Sequence, residues 1–295
     1  MNLQVGILLI TISLCTASTL KCTFKNDFVF RKYSCVVKEL KIENRNTRIT
    51  FIEGQHEMTK SNDDVECLRV ERIQTMEFFT NDFFLKFPNM QNLAIHDGPL
   101  KHLLRGDFAM ADNLVSIHIT HTDVTDLEDY VFFGTKVLKT LNLRENKIRT
   151  IAENAFKGLM TLKFLTLSYN EIHMLHMNIF KDLNFLEQLS LGSNKLRHID
   201  ENLFSKNRHL EIIFLDNNQL TSISGNMFSR NENLREIYMD NNQIKHVSNI
   251  PEFLTNLKQL EVAVFSNNTC VNSMFLITKG FYPPYERIFE NCQIF

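Results

Sequence analysis

The sequence predicts an α/β solenoid whose stacked coils each contribute one short strand to a parallel sheet. Three regularities carry that prediction. A 24-residue period starts units at Met90, Leu114, Leu138, Leu162, Leu186, Leu210 and Leu234 without a slip; outlying units start at Val65 and Leu260, 25 and 26 residues from their neighbours. Positions 4 and 6 of the units are apolar, as in Leu141/Leu143, Leu165/Leu167, Leu189/Leu191 and Ile213/Leu215. Two columns complete the pattern. Position 9 is Asn in Asn146, Asn170, Asn194, Asn218, Asn242 and Asn268, and position 19 is Phe in Phe83, Phe108, Phe132, Phe156, Phe180, Phe204 and Phe228.

Each regularity has a physical reading. Alternation with a period of two marks a strand that buries one face. One unit cannot bury that face alone, so neighbours must stack, with strands about 4.8 Å apart. The position-9 Asn falls where the chain turns away from the sheet. Its amide both donates and accepts, so it can satisfy backbone groups at that bend. The Phe column should form a second seam beneath the outer side. All three columns are scaffold, and the positions between them are the candidates for function.

The pattern resembles the leucine-rich repeat, LxxLxLxxNxLxxIxxxxFxxLxx, in its 24-residue extracellular form. The match is tightest from Leu138 to about Phe228. The resemblance implies a horseshoe-shaped solenoid with its sheet on the concave side. Departures occur at both ends of the array. Gly98, Thr122 and Ile73 replace the position-9 Asn, and the stretch Ser248–Leu260, with Pro251 opposing helix, lengthens one unit.

The chain divides into a signal peptide at 1–18, an N-terminal cap at 19–64, repeats at 65–262 and a C-terminal cap at 263–295. The run Val5–Cys15 is too short to cross a bilayer and suits a secretory signal, with cleavage after Ala17 or Ser18. The expected location is therefore extracellular, without a membrane anchor. An open stack needs covered ends. Cys22 and Cys35 bracket a segment before the array, and Cys270 and Cys292 bracket one after it. Local disulfides Cys22–Cys35 and Cys270–Cys292 are the economical pairing for a secreted chain. Cys67 is left over at position 3 of the first repeat, on a side facing away from the core. It is either an exposed thiol that links chains into a homo- or heterodimer, or one tucked beneath the cap or re-paired with Cys22 or Cys35.

The segments "CTFKNDFVFRKYSCVVKELKI", "ITFIEGQHEMTKSNDDVECLRV" and "FPNMQNLAIHDGPLKHL" resemble the entry region of secreted dipteran leucine-rich repeat proteins, several of them in the leucine-rich immune group. The chain has no heptads, so the likeness is to the short, coil-less members and implies an immune role.

Positions 3, 5, 7 and 8 should face the hollow. Along positions 3 and 5 the N-terminal half is polar, while the C-terminal end collects Ile212, Phe214, Tyr238, Val262 and Val264. With Phe164 and Tyr169 on an earlier strand, these are the candidate partner-binding residues. The alternative is that the C-terminal cap or the Ser248–Leu260 loop folds over the patch. His96, His118 and His121, beside Asp97, could hold a metal or sense mild acid, but imidazoles on an open sheet are more often ordinary surface groups. No metal or cofactor is assigned, and His173 and His176 receive no role. Asn267, in Asn267-Asn268-Thr269, is the candidate glycosylation site.

Lys plus Arg number 32 and Asp plus Glu 34, for a net charge of −2, with no basic run to favour nucleic acid. No nucleophile elbow, HExxH or phosphate loop occurs, so an enzyme is not expected. The expected function is recognition of extracellular proteins, in innate immunity. The alternatives are a developmental or matrix adhesion protein and a carbohydrate or lipid pattern sensor.

Overall fold

The computed structural model describes residues 17–249, 257–272, 274–276, 289 and 291–292. Residues 1–16 of the expected signal peptide (1–18) and most of the expected C-terminal cap lie outside these residues, as does the middle of the Ser248–Leu260 insertion. Ala17 and Ser18, the expected cleavage points, begin the first strand.

One sheet of thirteen strands runs the length of the described chain. In chain order these are β1 (Ala17–Asn26), β2 (Tyr33–Glu39), β3 (Arg48–Glu53), β4 (Cys67–Glu71), β5 (Asn92–His96), β6 (Ser116–Thr120), β7 (Thr140–Asn142), β8 (Phe164–Thr166), β9 (Gln188–Ser190), β10 (Ile212–Phe214), β11 (Glu236–Tyr238), β12 (Val262–Val264) and β13 (Met274–Leu276). From β4 to β12 every neighbour is parallel and in register, so Leu141 lies beside Ile117 and Leu165, and Ile213 beside Leu189 and Ile237. The solenoid and both end disulfides, Cys22–Cys35 and Cys270–Cys292, are as the sequence implies. Helix is sparse among the described residues: α1 (Asp82–Lys86) and two short 3-10 turns. The remaining return limbs run as successive turns, because a 24-residue coil leaves little chain for a helix after its strand and bend.

The Asn column joins adjacent coils. Asn194 donates from Nδ2 to the carbonyls of Leu167 on the preceding coil and Leu191 on its own, both at 3.0 Å, and its Oδ1 accepts from the Ile172 N–H at 3.0 Å. Asn170, Asn218 and Asn242 repeat this arrangement. On the outer side Phe132, Phe156, Phe180, Phe204 and Phe228 stack within 18° of parallel at 5.6–6.3 Å. At the N-terminal end the seam continues through Phe79, 4.9 Å from Phe108, rather than through Phe83 on α1, which meets Phe79 edge-on.

Position 8 holds a feature the pattern does not announce. Arg72, Asp97, His121, Glu145, Tyr169, Ser193, Asn217, Asn241 and Asn267 all have φ between +53° and +57°. This left-handed residue swings the chain out of the strand just before the Asn, and side chains other than Gly or Asn bear a steric cost there.

The N-terminal cap continues the sheet. β2 is parallel to β4, with Ser34 opposite Cys67, and Lys41–Ile42 pairs with Thr75–Met76. β1 then runs antiparallel to β2, and β3 forms the outer edge beside it.

Candidate functional site

The strands place positions 3 and 5 on the concave face, because Leu and Ile at positions 4 and 6 face the core. At the N-terminal end this face is covered. The connection between β1 and β2, residues 27–32, folds across it. Asp27 is the hinge of that loop: its Oδ1 accepts from the Val29 and Phe30 N–H groups, both at 2.8 Å, and its Oδ2 accepts from Arg69 on β4 at 2.6 Å. Phe30 reaches further, its ring 5.7 Å from His118 on β6. Phe28 and Val29 are left at the exposed tip.

Cover by this loop corrects the expectation for Cys67. Its side chain does face away from the core, but it is fully buried and unpaired. Burial pushes the thiol up to about 12, against a smaller opposing effect of the Ser34 hydroxyl. It is the tucked-under thiol of the two expected readings, and a disulfide to a second chain would require the loop to leave. Ala94, at position 5 of β5, is fully buried although its position points into the hollow.

The imidazoles share no common centre. His96 Nδ1 lies 2.6 Å from Thr120 Oγ1, His121 pairs with Glu145, and His118 packs against Phe30. Among the described residues no group of three His, Cys, Asp or Glu could hold a metal ion. Burial lowers the pKa of both His96 and His118, and His96 adds a smaller effect in the same direction on His118. Glu71 and Asp97 oppose that effect on His96, while Arg69 and His121 reinforce it.

The loop therefore has a pH dependence of definite sign. A histidine whose folded pKa lies below its ordinary value stabilises the folded state above that value and ceases to do so as pH falls through the folded pKa. For His118 the ordinary value is 6.5, so the loop should loosen in mild acid. Burial opposes ionisation of Asp27, but the Phe30 amide and Arg69 more than compensate, so its carboxyl sits below the usual range. Its contribution holds through that window and fails only in stronger acid. Arg69→Ala should raise the rate of Cys67 modification by a thiol-specific disulfide reagent at least about tenfold, because it leaves a buried carboxylate unpaired. Acid lowers the thiolate fraction, so the loosening is read instead by amide hydrogen exchange of residues 27–32, whose protection should fall in mild acid in the wild type and fall less in His118→Gln. Equal rates in wild type and Arg69→Ala, read by mass spectrometry, would contradict the role given to this ion pair.

Beyond β6 the face opens. Thr140, Asn142, Thr166, Gln188 and Ser190 form a half-exposed polar middle, bordered by Phe164 and Tyr169. Arg144 lies over the Tyr169 ring at 4.1 Å. Phe214, Tyr238 and Val264 then sit side by side in register, with Ile212 and Val262 on either side of Glu236, all half-exposed. The Phe214 and Tyr238 rings stack at 4.7 Å and 10°, and Tyr238 donates to Glu236 at 2.8 Å. β13 continues the patch: exposed Met274 pairs with Val264. Sequence reasoning missed Met274, since nothing in the repeat requires an antiparallel strand after β12. Asn267 is exposed at the rim beside this patch, its Nδ2 2.9 Å from Asn241 Oδ1.

The leucine-rich repeat model matches residues 112–172, 161–220, 186–244 and 208–268, which together exceed half of the chain. No curated protein matches the chain in sequence. Leucine-rich repeats generally mediate protein–protein recognition, and no helix among the described residues is long and apolar enough to cross a membrane. Matching coils, the Asn ladder and the continuous parallel sheet lead to one conclusion: the chain belongs to the leucine-rich repeat family.

Proposed function

We propose that the protein is a secreted recognition factor that binds an extracellular protein on the C-terminal half of its concave face. One observation carries this reading. Phe214 and Tyr238 lie coplanar and half-exposed amid Ile212, Val262 and Val264, at positions where the scaffold needs no aromatic ring. Phe164 and Tyr169 extend the surface toward the middle of the array. The strands hold these side chains in place before contact, so little ordering entropy is lost on binding.

Export is supported by the apolar leader and by two disulfides, which persist in oxidising compartments. A glycan on Asn267 would lie at the edge of the patch and narrow the approach to it. The likeness of the cap to secreted dipteran immune proteins supports innate immunity as the setting. Release into body fluid on infection would agree with it, whereas steady expression in developing tissue would favour an adhesion or signalling role.

Phe214→Ala and Tyr238→Ala should each weaken partner binding about tenfold and leave the unfolding transition nearly unchanged, since both rings are half-exposed. The partner would be captured from extracellular fluid with the wild-type protein and its affinity measured against each variant. Unaltered affinity in both variants would remove the concave patch from the interface.

A further inference from the structure

The chemistry of the partner can be taken further, on the premise that the concave patch is the docking surface. From β9 onward, positions 3, 5, 7 and 8 carry no Lys or Arg, between Gln188 and Asn267. They do carry Asp216, Glu236 and Asp240, set directly among the apolar side chains on β10 and β11 and the bends that follow them. None of these carboxylates has a cationic partner among the described residues. Asp216 accepts from Asn217 at 2.7 Å, Asp240 accepts from the Asn241 amide at 2.5 Å, and Glu236 accepts from Tyr238.

Elsewhere the protein neutralises its rows of charge. Lys163 pairs with Glu187, Lys147 with Asp123 and Lys195 with Glu171, each across neighbouring coils. The C-terminal half of the hollow departs from that habit. Its carboxylates stand in a row one coil apart and repel one another: burial first, and Asp216 second, push the pKa of Asp240 upward. Asp216 has little freedom to withdraw, since its carboxylate lies over Gly192, where even a Cβ would come within 2.5 Å of Oδ1.

We infer that the occupant of this face is a cationic protein segment that also bears apolar side chains. Its Lys or Arg groups meet Asp216, Glu236 and Asp240, while its apolar groups cover Ile212, Phe214, Tyr238, Val262 and Val264. The paired rings of Phe214 and Tyr238 suit such a segment twice over, because a guanidinium stacks on an aromatic face as readily as it pairs with a carboxylate. A neutral or acidic segment would bury three carboxylates without compensation, which is unfavourable.

The test uses the full chain and three short synthetic peptides of one length: alternating Arg and Leu, alternating Gln and Leu, and alternating Glu and Leu. Binding is read by fluorescence anisotropy at about 0.1 M and about 1 M salt, between which the screening length shrinks about threefold. The Arg/Leu peptide should bind best, and the triple variant Asp216→Asn, Glu236→Gln, Asp240→Asn should lose about tenfold or more at the lower salt and little at the higher. A charge-matched variant with Glu53→Gln, Glu57→Gln and Glu232→Gln, all exposed and away from the face, should bind as the wild type does.

The proposal is overturned if the Gln/Leu peptide binds as well as the Arg/Leu peptide, if the charge-matched variant loses as much as the triple variant, or if no peptide binds. The premise is read separately. Phe214→Ala and Tyr238→Ala should weaken whichever peptide binds. If they do so while carboxylate neutralisation has no effect, the docking surface stands and its cationic preference falls. If they do nothing, both fall.

Discussion

Phe180→Ala is expected to destabilise the protein by about 3–5 kcal/mol, the usual cost of removing a buried ring from a tightly packed core. Phe180 is fully buried, 6.1 Å from Phe156 and 6.3 Å from Phe204, with both neighbours nearly parallel to it. Its removal leaves a gap that the outer seam cannot close, since each coil touches only the coils beside it and the strand register fixes their spacing. The loss therefore falls on two interfaces at once. Urea denaturation followed by circular dichroism would measure it. Phe185→Ala supplies the contrast. That ring is exposed and stacks on His209, so its removal should cost under about 1 kcal/mol. Comparable losses in the two variants would show that the seam carries no special share of the stability.

Asn194→Ala is expected to cost about 3 kcal/mol or more, although it deletes only a small polar group. The deletion strands the carbonyls of Leu167 and Leu191 and the N–H of Ile172. A buried polar group left without a partner costs roughly 1–3 kcal/mol, and water cannot readily reach these. Asn194→Asp should be no milder, since a carboxylate keeps the acceptor but turns negative oxygens toward two carbonyls. Urea midpoints for both variants, set beside Asn233→Ala, would decide the matter. Asn233 is exposed and its amide meets the Arg208 carbonyl at the surface, so its loss should register within about 1 kcal/mol. A wild-type midpoint for Asn194→Ala would mean that the ladder is ornamental.

The fold was legible because it repeats. Once Leu141, Leu165 and Leu189 share an offset, they share an environment, and the strand, the Asn and the ring follow from one derivation applied many times. The local disulfides were legible for a related reason, since each closes a short stretch next to an end that needs cover. What escaped depends on contacts that break the period. Phe30 meets His118 across three strand positions, and no sequence pattern links a cap loop to the third repeat. That contact and the Asp27–Arg69 pair are why Cys67 and Ala94 are buried on a face that periodicity marks as open. Asn207 and Asn231 escaped differently. They occupy the position filled by Leu159 and Leu183 in the two preceding units, yet they are buried and bind carbonyls of Phe180, Leu183, Phe204 and Asn207, forming a second short ladder on the outer side. Two members are too few to read as a column.

At both ends of the sheet the strand direction reverses, β1 against β2 and β13 against β12. A second molecule approaching end-on would therefore meet a strand running opposite to the one that a further coil would add. The rule that lengthens the stack by one more turn of chain stops working there. Among the described residues, a copy stacked end-on would have to pair through these reversed strands and not through the coil-to-coil register that builds the array.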